Sequence, residues 1–161
     1  MTSSMNKPVE EILAAYGDHI LRLAFSYLHH MEDAEDILQD TLIQYMKAAP
    51  VFRDRDHEKA WLLRVTANLS KNRLKYNRIR TGTELEERPA PEREDLTFVW
   101  EAVKALPVKY AEVIHLYYQE GYSTAQIAAI LDMAESTVRV RLNRGRKRLK
   151  NVLREAYDFE G

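Results

Sequence analysis

The amino-acid sequence predicts an all-α protein with two small helical domains joined by a flexible linker, the second of them a helix-turn-helix domain. Its 161 residues include only 5 glycines and 5 prolines, so few positions break a helix. Apolar residues recur at three- and four-residue steps through most of the chain, as in amphipathic helices. That periodicity stops at 81–95, where prolines and a run of acids predict a linker. We therefore expect one domain at 8–80 and the other at 96–157.

The composition excludes several classes of protein. The chain has no cysteine, which excludes disulfides, a thiol nucleophile and thiolate metal sites. Its 5 histidines lack metal-ligand spacing, and neither a glycine-rich phosphate loop nor a nucleophile elbow is present. No apolar run resembles a signal peptide or is long enough to span a membrane. We expect no catalytic residue, no cofactor, no metal and no direct insertion into a membrane.

The first helical segment begins near Pro8, which suits a first helical turn, and Glu10 and Glu11 follow at the positive end of the helix dipole. Gly17 predicts a break or kink within the segment. The residues expected to form its buried side are Ile12, Leu13, Tyr16, Ile20, Leu21, Leu23, Ala24, Phe25, Tyr27 and Leu28.

A sharply two-sided helix is predicted over 32–49. Glu32, Asp36 and Asp40 lie one turn apart on one side, and like charges at that spacing cost about 0.2–0.5 kcal/mol per pair. Two interpretations remain equally open from composition: a docking surface for a basic partner, or a plain solvated face. The other side carries the apolar residues expected in the core, which are Ala34, Ile37, Leu38, Leu42, Tyr45 and Met46.

A polar loop at 51–59, anchored by Phe52, is predicted to precede a basic helix that runs from Trp61 to about Asn77. Trp61 lies on the apolar stripe, which favours a place in the core. Basic, amide and aromatic side chains on the exposed side are typical of proteins that bind single-stranded or distorted DNA. These are Arg64, Asn68, Ser70, Lys71, Asn72, Arg73, Lys75, Tyr76, Arg78 and Arg80.

The second domain is expected to begin with a helix near Leu96, followed by a helix that starts at Pro107 and ends at Gly121. Ser123 and Gln126 form a capping-box pattern at the start of the next helix. Its expected buried residues are Ile127, Ile130 and Leu131. A short break at 132–134 separates this helix from the last one, which Ser136 or Thr137 can cap.

The last helix is basic and amphipathic. Val138, Leu142 and Leu149 supply its buried side, and Val140 lies off this stripe. No acid occurs between Ser136 and Lys150, whereas a helix that is merely solvated usually mixes both signs. The pattern therefore favours a DNA-binding helix-turn-helix over a solvated amphipathic helix.

Three motifs occur in a specific order along the chain. Residues 33–40, DAEDILQD, resemble the polymerase-binding helix of the extracytoplasmic-function sigma factors, the small two-domain promoter-specificity subunits of bacterial RNA polymerase. Trp61-Leu62 through Lys71-Asn72 resembles the family's helix that recognises the −10 promoter element. Residues 106–146 resemble its −35-binding domain. The resemblance covers about 10–153, and it identifies the chain as a member of this family.

The resemblance implies three sets of functional residues. The β′ clamp helices of core RNA polymerase would meet Glu35, Asp36, Gln39 and Asp40. The −10 element, with one base flipped into the 52–57 loop, would contact Phe52, Arg53, Arg64, Asn68, Lys71, Asn72 and Arg73. The −35 duplex would contact Ser136, Thr137, Arg139, Arg141, Asn143, Arg144 and Lys147.

The resemblance also implies the partners. They are core RNA polymerase, through its β′ clamp helices and β flap, promoter DNA, and an anti-sigma factor that is often membrane-linked. A cytoplasmic protein that is a monomer when free is expected. Two alternatives come from other classes of protein: an autonomous helix-turn-helix regulator, which needs a dimer to match two half-sites, and an adaptor that uses only the acidic helix. Hydrodynamic size distinguishes the monomer from the dimeric regulator.

Overall fold

The computed structural model describes residues 8–81 and 102–157, and the contacts divide the chain into two compact units, Met1–Arg88 and Pro89–Gly161. Every regular element within the described ranges is helical, which confirms the all-α prediction. The predicted linker beyond Thr81 and the helix expected near Leu96 lie outside the described residues. The domain boundaries 8–80 and 96–157 stay predictions.

The first unit consists of α1 (Val9–Leu28), α2 (Met31–Ala48) and α3 (Arg55–Thr81), each packed against the other two. His29 and Ala49 adopt left-handed φ values of 57° and 46°, which end α1 and α2 in tight turns. All three helices contribute deeply buried apolar side chains, among them Ile12, Ile20, Leu23, Ala34, Ile37, Tyr45, Leu62 and Leu63.

Two expectations about α1 and α2 were wrong. Gly17 is buried in the middle of an unbroken α1, because packing of the apolar residues on both sides outweighs the cost of about 1 kcal/mol for a helical glycine. Leu13 is 44% exposed and Met46 is 54% exposed, so the buried face is narrower than the apolar stripes. Thr41, in contrast, is fully buried on α2 and lies within 3.4 Å of the Thr66 hydroxyl.

The start of α3 also differs from the prediction, since the helix begins at Arg55 rather than near Trp61. Asp54 accepts a hydrogen bond from the backbone N–H of His57 at 2.8 Å, which is the geometry of an N-cap. Glu58 is therefore not a loop residue: it is 3% exposed and accepts a hydrogen bond from the Tyr16 hydroxyl at 2.9 Å. The irregular connection is limited to residues 49–54.

The second unit begins, among the described residues, with a helical stretch at 102–104. Pro107 then precedes α4 (Val108–Ile114), which continues without a break into a π-helical turn, His115–Gln119. α5 (Thr124–Leu131) and α6 (Glu135–Tyr157) form the helix-turn-helix. α4 and α5 both pack on α6. The shared core contains Val113, Ile114, Leu116, Ile127, Ile130, Val138 and Leu142.

Two of the three helix-end predictions around the helix-turn-helix are confirmed. The Ser123–Gln126 capping box is confirmed by two reciprocal hydrogen bonds of 3.1 and 2.9 Å. Gly121 has a φ of +76°, as its C-cap-like position requires. The cap predicted for α6 was wrong: the helix starts at Glu135, so Ser136 and Thr137 lie in its first turn. The Thr124 hydroxyl donates to Glu135 Oε2 at 2.7 Å and ties this turn to α5.

Gly145 lies where α6 packs tightly against α4. A Cβ at this position would lie 2.9 Å from Ile114 Cδ1 and 3.2 Å from Tyr110 Cβ. We expect Gly145→Leu to lower the free energy of unfolding by about 1–3 kcal/mol through overpacking. Gly145→Ala should change it less, since a gain of about 1 kcal/mol in helix propensity opposes a smaller clash.

Urea unfolding followed by circular dichroism measures both effects. Asn151→Leu is the matched control, because Asn151 is exposed on the same helix. A Gly145→Leu variant as stable as the control would mean that α6 does not pack on α4 this closely.

Candidate nucleic-acid interface

α2 presents a continuous acidic face. The residues expected to meet polymerase are all exposed, and they form two adjacent pairs, Glu35-Asp36 and Gln39-Asp40, that lie four positions apart on one side of the helix. Ile43 continues this side toward the C-terminal end of α2 and is 41% exposed. The structure therefore brings the four predicted residues together on one accessible surface, hereafter the acidic face.

Arg73 connects α3 to the acidic face. Its Nη2 atom donates to Asp33 Oδ1 at 3.2 Å and to Asp36 Oδ2 at 2.9 Å, and its side chain is 25% exposed. Asn77 lies beside this pair, with its Nδ2 atom 3.5 Å from Asp33 Oδ2. Arg73 thus offsets part of the like-charge repulsion on α2, and its contact with DNA stays a prediction.

Sequence reasoning missed the orientation of Arg73 and its neighbours, although a signal was available. Thr66, Ser70, Arg73 and Asn77 follow Leu62 at steps of four, four, three and four residues, so they extend the buried stripe of α3. Thr66 and Ser70 are fully buried and Asn77 is 7% exposed. The expectation that Ser70 belongs to the exposed side was therefore wrong, because polar residues occupy the contact between α2 and α3.

Arg73→Gln is expected to lower the free energy of unfolding by about 1–2 kcal/mol, between the values for exposed and for buried ion pairs. The substitution leaves Asp33 and Asp36 facing each other without the cation. The loss should shrink at 1 M salt, where the two carboxylates are screened. Arg78→Gln, an exposed position of the same helix, is the matched control for urea midpoints. Equal midpoints would contradict a stabilising role of the pair.

The exposed side of α3 carries a row of basic and amide residues. Arg64, Asn68, Lys71, Lys75 and Arg78 follow one another at steps of four and three residues. All are exposed except Lys71, which is half-buried, and the exposed Asn72 lies next to the row. The structure thus groups most of the predicted −10 residues on one side of α3 and separates Arg73 from them. The row also contains two cations, Lys75 and Arg78, that were not among the predicted −10 residues.

The connection before α3 is held by an aromatic cluster. The Phe52 ring stacks on Tyr45 at 6.4 Å and meets Trp61 and His57 edge-on at 5.9 and 5.3 Å. The backbone N–H of Arg53 donates to His57 Nδ1 at 3.1 Å, and the Arg53 side chain is exposed. Trp61 is half-buried within this cluster. A short loop is therefore anchored on a rigid base, beside the row of cations on α3.

The predicted DNA contacts on α6 differ in exposure and in the side of the helix on which they lie. Ser136, Asn143 and Lys147 are exposed, and their spacings of seven and four residues place them on one side of the helix. Arg139 and Arg144 flank this side. Arg141 lies away from them: it is half-buried, and its Nη1 atom is 3.9 Å from Met133 Sδ. Thr137 is also half-buried. We name the exposed side with Ser136, Asn143 and Lys147 the α6 face.

Other cations of α6 are held by aromatic rings on α4 and the π-helical turn. Arg146 Nε donates to the Tyr118 hydroxyl at 2.7 Å and lies over the rings of Tyr117 and Tyr118. Arg148 lies 5.3 Å from the ring centroid of Tyr110. Because these contacts direct the guanidinium groups toward the protein, the net positive charge of α6 overstates the number of cations on the α6 face.

Glu135 positions the start of the α6 face. It accepts the hydrogen bond from Thr124 and forms an ion pair with Arg139 Nη1 at 3.4 Å. Arg139 exposes 57% of its side-chain surface and Glu135 exposes 40%, so the ion pair contributes little to stability. Its effect is to orient the Arg139 side chain toward the first turn of α6.

Within residues 8–81 and 102–157 no helix is both long and apolar enough to cross a membrane. The same ranges hold no group of three histidine, aspartate or glutamate side chains that could bind a metal ion.

Comparisons with known proteins match both units. Residues 12–79 match the family model for sigma-70 region 2, and residues 99–149 match the model for sigma-70, region 4. The ECF RNA polymerase sigma factor SigW of Bacillus subtilis is 27% identical, with 90% of this chain and 88% of SigW covered. SigM of Mycobacterium tuberculosis, also an ECF RNA polymerase sigma factor, is 30% identical, with 89% of this chain and 76% of SigM covered.

Two solved structures are similar as well. One is the sigma factor RpoE in complex with the anti-sigma factor NepR from Bartonella quintana, with a TM-score of 0.76, 25% identity, and 90% and 96% of the two chains covered. The other is CnrH in complex with the cytosolic domain of CnrY, with a TM-score of 0.66, 26% identity, and 90% and 86% covered.

Proposed function

The chain belongs to the extracytoplasmic-function group of the sigma-70 family. From this premise we propose which of its surfaces bind core RNA polymerase and which bind promoter DNA. As a promoter-specificity subunit it associates with RNA polymerase and confers promoter recognition, and it is not an enzyme. The observation that carries this function is the match of both units, in order, to sigma-70 regions 2 and 4.

The acidic face on α2 is our proposed docking site for the β′ clamp helices of core RNA polymerase. Four exposed polar and acidic side chains on one helix face complement a basic partner surface. Such complementarity raises the association rate and fixes the register of docking more than it raises the affinity. Arg73 leaves part of Asp36 accessible, since 53% of that side chain remains exposed. Asp36 can therefore form the ion pair with Arg73 of α3 and contact a partner protein at the same time.

The row on α3 is our proposed binding surface for the −10 element. Arg64 and Lys71 would contact phosphates, and Asn68 and Asn72 can hydrogen-bond to exposed base edges. The loop that Phe52 anchors would receive a base flipped out of the duplex. Extruding one base costs a few kcal/mol, so contacts to the captured base and polymerase binding together would drive melting. We assign Arg73 to the α2–α3 contact rather than to this surface.

The α6 face, with Arg139 and Arg144 at its edges, is our proposed −35-binding surface. Arginine can pair bidentately with guanine in the major groove, and asparagine with adenine. Ser136 lies in the first turn of α6, where the helix dipole and free backbone N–H groups favour a phosphate. Arg141 and Thr137 would contribute less, because both are half-buried on another side of the helix.

One solved relative is a complex with the anti-sigma factor NepR, and the other is a complex with the cytosolic domain of CnrY, which supports an anti-sigma partner for this chain. We extend the proposal to a membrane-linked anti-sigma factor, a docking contact with the β flap, a cytoplasmic location and a monomeric free state.

Size-exclusion chromatography with sigma-free core RNA polymerase tests the proposal. We expect the free chain to elute as a monomer and to shift into a stable complex with the core enzyme. A stable dimer that binds duplex DNA but does not bind the core enzyme would instead support an autonomous helix-turn-helix regulator.

A further inference from the structure

Val140 is an apolar residue at the centre of a polar surface. It lies four residues after Ser136, three before Asn143 and seven before Lys147, so it falls on the α6 face between them. Its side chain is 45% exposed, whereas its partners on that face are all polar or charged. A valine is thus presented to the surroundings at the middle of the proposed −35-binding surface.

Packing does not explain this valine. The apolar stripe that attaches α6 to the second unit passes through Val138, which is fully buried, and Leu142, which is 3% exposed. A β-branched residue is also a poorer helix former than the lysine or arginine found at neighbouring exposed positions. Single exposed apolar residues are common on proteins, but this one lies between side chains that we propose to contact DNA.

The chemistry of the major groove offers one apolar group to such a residue. Each base pair presents a pattern of donors and acceptors there, and thymine adds its C5-methyl group. We propose that Val140 contacts the C5-methyl group of a thymine in the −35 element and thereby selects thymine at that position. The inference rests on the proposed function of α6. It adds a specificity-determining contact that depends on shape and apolarity rather than on charge.

Asn143 and Lys147 make the proposal more specific. Asparagine three residues after Val140 can pair with an adenine within reach of the same helix turn, and lysine one turn further can bind guanine or a phosphate. Exposed Arg139 stands on the N-terminal side, where it can pair with guanine. The preferred element would therefore combine hydrogen-bonded purines with one thymine that is recognised by its methyl group.

Replacement of thymine by deoxyuridine tests the contact, because it deletes the methyl group and keeps every hydrogen-bonding group. The holoenzyme, made from the full chain and core RNA polymerase, first selects its preferred duplex from a randomised −35 pool. Each thymine of the selected element is then replaced singly by deoxyuridine, and competition binding at fixed salt gives the affinity ratio. For the wild type we expect one position to lose roughly fourfold, the value for one buried methyl group.

The variant Val140→Ala should bind the thymine and deoxyuridine duplexes with nearly equal affinity, since the contacting methyl groups are gone. Val140→Thr retains one methyl group and should keep part of the discrimination. Lys150→Ala is the matched control: it removes an exposed cation from the same helix and should weaken both duplexes by the same factor. Circular dichroism checks that each variant is folded.

Three results would overturn the inference. The selected element contains no thymine, or no deoxyuridine substitution changes the affinity, or the wild type and Val140→Ala show the same thymine-to-deoxyuridine ratio. In these cases the holoenzyme still selects a promoter element, so the proposed function stands. Failure of the holoenzyme to select any element would instead overturn the proposed function, and the inference with it.

Discussion

Asp40→Lys is expected to lower the affinity of this chain for core RNA polymerase by about 100-fold, which corresponds to about 2.7 kcal/mol. The substitution turns an attraction on the acidic face into a repulsion of the same basic partner. Asp40 tests the face better than Asp36 does, because Asp36 also holds Arg73 and its loss would disturb the α2–α3 contact. Fluorescence anisotropy of labelled chain titrated with core enzyme measures the effect.

Glu11→Lys is the matched control for this prediction. It makes the same change of net charge at another exposed position of the same unit, outside the acidic face. The Asp40→Lys loss should also depend on ionic strength, since exposed charges are screened within about 10 Å at 0.1 M salt. If Asp40→Lys and Glu11→Lys weakened the complex equally, the acidic face would be a solvated surface and only net charge would matter.

Arg139→Ala is expected to reduce initiation at a promoter with a −35 element by about 10- to 100-fold, in line with 1–3 kcal/mol for a bidentate base contact. The affinity for core polymerase should not change, because Arg139 lies on α6 and not on the acidic face. The fold should also be preserved, since the exposed ion pair of Arg139 with Glu135 contributes little to stability. Abortive initiation assays on a matched promoter measure the loss.

Arg148→Ala provides the control in the same helix and with the same change of charge. Arg148 lies over the Tyr110 ring, so its removal should cost packing and some stability but no promoter recognition. The result that would contradict the assignment is equal loss of initiation in the two variants. In that case α6 would act as an undifferentiated positive surface, and the distinction between its faces would have no functional meaning.

The helix-turn-helix could be predicted closely from the sequence because its signals are local. The capping pair Ser123 and Gln126, the left-handed Gly121 and the apolar steps from Ile127 to Leu142 each depend on a few neighbouring residues. The start of α3 at Arg55 had an equally local signal, the acidic N-cap Asp54, but this residue lies within a long polar stretch that was interpreted as a loop. Local chemistry was therefore sufficient to predict that these helices exist, but not where each of them starts.

The missed features are tertiary. Nothing in the spacing of α3 states that Arg73 meets Asp33 and Asp36, some forty residues earlier, because that contact forms only when α2 and α3 pack. Arg146 and Arg148 likewise depend on tyrosines of α4 and the π-helical turn. A sequence shows which residues are charged and which helix side they share. The packing of the helices determines which charges are neutralised inside the fold and which remain exposed to a partner.

Run-off transcription tests the central claim most directly. Sigma-free core RNA polymerase, supplied with this chain and fragmented genomic DNA from the organism that encodes it, is allowed to initiate, and the transcript starts are mapped. The account predicts discrete new starts that share a −35 and a −10 motif, and it predicts that Asp40→Lys reduces them when the concentration of the chain is limiting. No new starts, together with no complex between the chain and core polymerase, would contradict it.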